Sequence, residues 1–208
     1  MAEWSNHKYF VALLLLIGVV CTKADGNENP KIDMEILVSR NRLLESMINE
    51  SLKLTEYIFE RSADLCKKMH EEDIGEYETS KESLNRESEE IEVAETHETA
   101  LKHCIGHIDD RLDPTYSGSS NRVENVLLHK YGFEDVQKVV NRKYDEFFVE
   151  ILRQIDEYLK GLTPEQQSGT TAQNLRGWSS KIREAATLAQ KEMAFRKCMR
   201  FYLFERGV

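Results

Sequence analysis

The sequence predicts an all-α protein, with four to five helices in an antiparallel bundle or an extended helical assembly. Two observations lead to this fold class. Apolar residues recur with the 3.6-residue period of a helix along nearly the whole chain beyond Pro30. No segment shows the alternation of apolar and polar residues that is typical of a half-buried strand. Turn residues between the periodic segments divide them into separate helices.

The N-terminal segment 1–24 has the pattern of a secretory signal peptide. An uncharged apolar run extends from Phe10 to Cys21. This run is too short to cross a bilayer as a helix, which takes about 20 residues, but it matches a signal core. Small residues at the cut site predict cleavage after Ala24, and cleavage after Cys21 is the alternative. We therefore expect a secreted, extracellular protein in which 25–208 is a single helical domain.

Two helices are predicted before the middle of the mature chain. The first extends from about Lys31 to His70, and Gly75 is expected to end it. Its apolar residues share one stripe when placed at about 100° per residue: Leu37, Leu44, Met47, Ile48, Leu54, Ile58, Leu65 and Met69. The second helix ends at Asp113-Pro114, and its stripe consists of Ala94, Leu101, Ile105, Ile108 and Leu112.

Three further helices are predicted in the C-terminal half. Asn121 is the expected cap of a short helix that ends at Tyr131. A long helix ends at Gly161, and its apolar face contains Val136, Val140, Tyr144, Phe147, Phe148, Ile151, Ile155, Tyr158 and Leu159. Thr163-Pro164-Glu165-Gln166 has the form of a capping box. The last helix begins there or nearer Thr171, with the stripe Leu175, Trp178, Ile182, Ala186, Ala189 and Met193.

Negative charge is concentrated in an acidic connecting segment, 71–99. This segment has twelve acidic residues against Lys81 and Arg86, a net charge of −10, whereas the whole chain carries −9. Nucleic acid and membrane partners are not expected, because both require clustered Lys and Arg against an anionic surface. The segment is predicted to keep the protein soluble, and its charge also allows a cationic partner.

The mature chain retains three cysteines, which cannot all pair within one molecule. Cys66 and Cys104 lie on the apolar faces of the first and second helices, so we predict that they form a disulfide. Cys198 lies about 140° from the stripe of the last helix. It is predicted to be a free thiol or an intermolecular link, which would give a homodimer. Pairing of Cys198 with one of the other two cysteines is the alternative.

One glycosylation sequence is present in the mature chain. Asn49-Glu50-Ser51 matches the acceptor pattern for N-linked glycans. Asn49 lies about 140° around the predicted helix from Leu44, nearly opposite the apolar stripe. We therefore expect Asn49 to be exposed and available for glycosylation.

No catalytic, cofactor-binding or metal-binding motif is found, and an enzyme is not expected. The segment from His97 to His107 contains three histidines and Cys104. The helical wheel places His97 and Cys104 near the apolar stripe and His103 and His107 on the opposite side. Two histidines are fewer than the three or four protein ligands of a zinc site, so no metal is predicted. The C-terminal aromatics spread around their helix, which is typical of core or dimer packing: Phe195, Phe201, Tyr202 and Phe204.

In outline the chain resembles the lineage-restricted secreted helical proteins of insects, including those of saliva and venom. The resemblance lies in the signal sequence Tyr9-Phe10-Val11-Ala12-Leu13-Leu14-Leu15-Leu16, the sparse cysteines, the helical pattern and the chain length. It implies action by binding an extracellular protein partner, as an effector or immunomodulator, and assigns no role to any residue. The alternative hypothesis is a carrier of a lipid or small hydrophobic ligand in a helical cavity.

Overall fold

Seven helices follow one another along the described part of the chain, and no strand occurs among these residues. The structure, a computed structural model, describes residues 30–81, 90–118 and 122–204, with side chains at 34–71, 98–118 and 125–204. The all-α prediction is confirmed. The predicted signal peptide and the Asn121 cap lie outside the described residues. The helices are α1 Pro30–Lys81, α2 Glu90–Leu112, α3 Arg122–Lys130, α4 Phe133–Lys160, α5 Pro164–Ser168, α6 Thr170–Glu184 and α7 Leu188–Phe204.

Helix α1 is longer than the sequence predicted. It continues past His70 to Lys81, and Gly75 lies within it instead of ending it. A glycine inside a helix costs only about 1 kcal/mol relative to alanine, and no proline follows to force a stop. The predicted boundary was therefore wrong.

Helix α4 is the centre of the bundle, since it packs against α1, α3, α6 and α7. Its predicted apolar face is buried, and Val140, Ile151 and Ile155 are fully inaccessible. Phe147 and Phe148 extend this face toward α7, where the ring of Phe195 lies 5.0 Å from that of Phe147. The core is thus built on the stripe that the period of α4 predicts.

The direction of α1 relative to α4 follows from side-chain contacts. Hydrogen bonds from neighbouring side chains lower the pKa of the Glu150 carboxyl. The positive charge of Lys53 on α1 is close enough to lower this pKa further. Farther along α1, the ring of Tyr57 lies 5.7 Å from the ammonium of Lys143. Residue numbers therefore rise along α1 as they fall along α4, and the two helices are antiparallel.

Local signals fix the turns that follow. Gly132 adopts a left-handed conformation, φ 83°, between α3 and α4, where a residue with a side chain would be strained. The predicted capping box is present, because the Thr163 hydroxyl accepts from the Gln166 N–H and the Gln166 side chain accepts from the Thr163 N–H. This box starts the short helix α5, and α6 starts shortly after α5 ends.

The sequence did not predict the break between α6 and α7. Helix α6 ends at Glu184, and a new helix starts after Thr187, whose hydroxyl accepts a hydrogen bond of 3.2 Å from the Gln190 N–H. The Gln190 side chain in turn accepts from the Ala186 N–H at 2.9 Å. This is close to a capping box, with Thr and Gln three residues apart. The break resets the helical phase of every residue that follows.

The reset phase overturns the prediction for Cys198. Its thiol is free, as expected, but the residue is 0% exposed and part of the core. Burial raises the pKa of the Cys198 thiol to about 12. An intermolecular disulfide through this buried sulfur is therefore not supported. Phe195 and Tyr202 are buried with it, whereas Phe204 is half exposed.

Candidate functional site

A disulfide joins α1 and α2 into a hairpin. Cys66 and Cys104 are bonded, with their Cα atoms 5.9 Å apart, which is the pairing predicted from their positions on facing stripes. Beyond the bond, α1 continues from Cys66 to Lys81, and α2 begins at Glu90, well before Cys104. At about 1.5 Å per residue these extensions are about 22 Å and about 21 Å long.

The acidic segment 71–99 includes the parts of α1 up to Lys81 and of α2 from Glu90 that lie beyond the disulfide. Most of its side chains lie outside the described residues, but Glu71 and Glu98 are described and both are exposed. A hydrogen bond from Lys102 lowers the pKa of Glu98, so this carboxyl is ionised at neutral pH. The segment carries a net charge of −10, and its described ends follow Met69 and precede Leu101, which pack against the core.

The structure places His103 and His107 on the exposed side of α2. The Nε2 atom of His107 accepts a hydrogen bond of 3.1 Å from Nε of Arg111, so that lone pair is engaged within the helix. Among the described side chains, no group of three or more His, Cys, Asp or Glu is arranged to hold a metal ion. The side chain of His97 lies outside this description.

A surface cleft of about 510 Å³ opens where α2, α4 and α7 meet. Both charged and apolar side chains line it, together with amides from α4; they include Arg111, Asp113, Tyr116, Gln137, Asn141 and Leu188. Such a mixed, open cleft differs from the enclosed apolar cavity that a lipid carrier would need.

Beside this cleft lies an ion-paired group that the sequence did not reveal. The guanidinium of Arg196 contacts Oδ2 of Asp113 at 2.5 Å and Oε1 of Glu192 at 2.7 Å. The other Asp113 oxygen accepts from the hydroxyl and the backbone N–H of Thr115, at 2.7 Å and 2.8 Å. These contacts fasten the loop after α2 to α7. Both carboxylates are held by the same cation, so neither is placed as a free catalytic base.

The pKa values of Asp113 and Glu192 are shifted in opposite directions from the ordinary values of these groups. Burial raises the pKa of Glu192, and its hydrogen bond from Arg196 only partly offsets this effect. Burial also acts on Asp113, but hydrogen bonds from Thr115 and Arg196 outweigh it and lower the pKa of that carboxyl. The phenol of Tyr144 is buried nearby, and burial raises its pKa further above the ordinary value of 10.0.

Sequence reasoning could have found only part of this group. Glu192 and Arg196 are four residues apart, the spacing of an ion pair on one helix. Asp113 is 83 residues from Arg196, and no local pattern connects the two. The Thr187 and Gln190 pair that places α7 beside the loop was visible as a helix-start signal.

Asn49 lies where the helical wheel predicted, on the exposed side of α1, while Leu44 and Met47 are buried. Its side chain is accessible for modification. Glycosylation itself remains a prediction.

None of the described helices combines the length and the apolar composition that crossing a membrane requires. No known family model, curated protein or solved structure matches the chain. Function has to be inferred from the chain's own geometry and charge.

Proposed function

We propose that this protein is secreted and acts without catalysis, by binding an extracellular protein that is positively charged. The observation that carries the proposal is the disulfide-joined hairpin of α1 and α2, whose helices continue beyond the disulfide into residues 71–81 and 90–99 of the acidic segment. A cluster of negative charge at one end of a rigid element favours fast, selective association with a cationic surface. This is the extracellular effector role that the outline of the sequence implies.

Two features support the secreted compartment. The Cys66–Cys104 disulfide is of a kind that persists in oxidising spaces and is rare in the cytosol. The N-terminal pattern of the sequence is that of a cleaved signal. Expression of the full chain in eukaryotic cells tests both. We expect the medium to contain a protein that begins at Asp25 and carries a glycan at Asn49, which Asn49→Gln removes.

Binding at the acidic segment can be tested with two matched variants. One replaces four acids of the segment: Glu89→Gln, Glu90→Gln, Glu92→Gln and Glu95→Gln. The control replaces four exposed acids along α1, all within the described residues: Glu35→Gln, Glu45→Gln, Glu56→Gln and Glu60→Gln. Both variants lose the same net charge, so any difference between them reports where the partner binds.

Biolayer interferometry against basic and acidic secreted proteins of similar size provides the measurement. We expect binding to the basic proteins alone, weakened by about tenfold or more as salt rises from about 0.01 M to about 1 M. The segment variant should lose this binding and the control should keep it. Equal loss in both variants, or no binding to any basic protein at low salt, would refute the proposed function.

A further inference from the structure

Helix α7 presents an exposed stripe on the side that faces away from the core. Met193, Lys197, Arg200 and Phe204 follow one another at spacings of four, three and four residues, so they lie within about 60° of one another. Met193 is 48% exposed and Phe204 is 50% exposed, and both basic residues between them are exposed. We call these four residues the α7 stripe.

The cations of the α7 stripe are not neutralised within the described part of the chain. Lys191 is paired with Asp145, and Arg183 with Asp156. In contrast, no acidic partner is found among the described residues for Lys197 or Arg200. The range 170–204 contains seven basic and two acidic side chains, and three of the seven pair with Asp113, Asp145 and Asp156 outside the range, which leaves a net charge of +2 (7 − 2 − 3). The stripe is therefore the outer part of a basic region.

A third unpaired cation, on α6, adds to this region. Burial raises the pKa of the Cys198 thiol, and the positive charge of Lys181 is close enough to offset part of this effect. The Lys181 ammonium also lies 4.1 Å from the centre of the Trp178 ring. It has no acidic partner among the side chains that the structure describes, so the basic region continues from α7 onto α6.

The described ends of the acidic segment, Glu71 and Glu98, lie beyond contact distance of the stripe in the same molecule. Burial raises the pKa of Tyr202 on α7, and Arg40 of α1 lies close enough to offset part of that effect. The C-terminal end of the stripe is therefore level with Arg40 of α1, while its N-terminal end lies beside Arg196, which contacts Asp113 just after α2. At about 1.5 Å per residue, α1 rises about 46 Å from Arg40 to Glu71, and α2 rises about 21 Å from Glu98 to its end at Leu112.

From this separation of charge we propose that the α7 stripe binds the acidic segment 71–99 of a second copy of the chain. The charges are complementary, −10 on the segment against +2 on α6 and α7 after their ion pairs with other helices and loops are counted. The segment also contains apolar residues that can meet Met193 and Phe204, among them Ile74, Tyr77, Leu84, Ile91 and Val93. Because the two surfaces differ, the contact is head-to-tail and can continue into rings or chains of molecules.

The inference shares the acidic segment with the proposed function and adds the stripe as a competitor for it. Self-association would occupy the surface that binds the cationic partner, so the partner should dissolve the assemblies. Lys197→Glu/Arg200→Glu alters only the stripe and leaves the acidic segment intact. This variant should therefore bind the basic partner as the wild type does, and the two proposals can fail independently.

Sedimentation velocity of the secreted protein over a range of concentrations tests the contact. We expect concentration-dependent association at about 0.01 M salt, where charges act over about 30 Å, and monomers at about 1 M, where they act over about 3 Å. Lys197→Glu/Arg200→Glu should weaken association about tenfold or more. The control Lys138→Glu/Arg142→Glu reverses two exposed charges on α4 and should change it much less.

A mixing experiment distinguishes this contact from any symmetric one. The stripe variant keeps its acidic segment intact, and the fourfold Glu→Gln segment variant keeps its stripe intact while the net charge of its segment falls from −10 to −6. Each alone should be monomeric, while an equimolar mixture should form 1:1 dimers and nothing larger. A monomeric wild type at low salt, a monomeric mixture, or association by either variant alone would overturn the proposal. The proposal would also be overturned if the wild type stayed monomeric and its stripe bound a sulfated polysaccharide.

Discussion

Removing the disulfide between α1 and α2 should cost a large part of the stability of the fold. The change is Cys66→Ala/Cys104→Ala; alanine is preferred to serine because Cys66 is only 1% exposed, and a hydroxyl would be buried without a partner. The bond closes a loop with a sequence separation of 38 residues. Loop-closure entropy for that length is about 13 cal/mol/K, or about 3.9 kcal/mol at 25 °C. Single domains are stable by about 5–15 kcal/mol in total.

Urea unfolding followed by two probes measures this cost and locates it. Circular dichroism reports the helices of the hairpin together with the rest, whereas fluorescence of Trp178 reports α6 and its contact with Phe201. Helix α2 packs mainly on α1. In the double variant we expect helix content to fall at lower urea than the Trp178 signal, because the hairpin opens before the bundle.

Reduction of the wild type supplies the matched control, since it breaks the same bond without changing the sequence. It should shift the unfolding midpoint to that of the double variant, and reductant should leave the variant unchanged. If the variant unfolds within about 1 kcal/mol of the oxidised wild type, loop closure does not hold the hairpin together and the reasoning is wrong.

Three more predictions concern the bundle. Ile151→Ala, at a position that is 0% exposed, should cost about 2–5 kcal/mol. Val149→Ala, at 69% exposure, should change the free energy of unfolding by no more than about 0.5 kcal/mol. Equal losses of stability in the two variants, measured by urea unfolding, would contradict the assignment of Ile151 to the core. Burial raises the pKa of Glu192 above 4.5, so ionisation of this carboxyl lowers the stability of the fold as the pH rises past 4.5. We therefore expect Glu192→Gln to be more stable than the wild type at neutral pH but not near pH 4. Burial acts to raise the pKa of Asp113, but hydrogen bonds outweigh it and hold this pKa below 3.8. Asp113→Asn should therefore be less stable than the wild type at neutral pH, and the difference should be much smaller near pH 2. If the stability of both variants relative to wild type changed with pH in the same direction, the assignment of the two carboxyl groups would be wrong. Burial raises the pKa of the Cys198 thiol to about 12, so iodoacetamide should modify this thiol slowly in the native protein and quickly in urea. Mass spectrometry measures the modification, and fast labelling of the native protein would show that the thiol is accessible.

Much of the fold could be predicted because its helices are strongly amphipathic. The predicted apolar face of α4 is buried from Val140 to Ile155, and the Thr163 capping box starts a helix where the sequence placed it. The disulfide was predictable for the same reason, since Cys66 and Cys104 each lie on the stripe of a helix that needs an apolar neighbour. In each case the information is local, within a few turns of one helix.

Two local signals were misjudged. Gly75 was given too much weight as a helix stop, because the cost of one glycine is small beside the bonds of a long helix. The Thr187 and Gln190 pair was given too little, although its spacing marks a helix start. Treating 171–204 as one continuous helix carried the wrong phase forward and placed Cys198 outside the core.

By itself the sequence determined the helical class, the acidic segment, the apolar stripes of the helices before Glu184 and the exposed position of Asn49, because each depends on residue type and on the 3.6-residue period. The tertiary structure alone decided that Arg196 joins Asp113, 83 residues away, to Glu192, and that the α7 stripe is exposed. Contacts of that kind depend on the direction and level at which whole helices pack. The period of a single helix states which side faces a neighbour, but not which neighbour meets it or at what height.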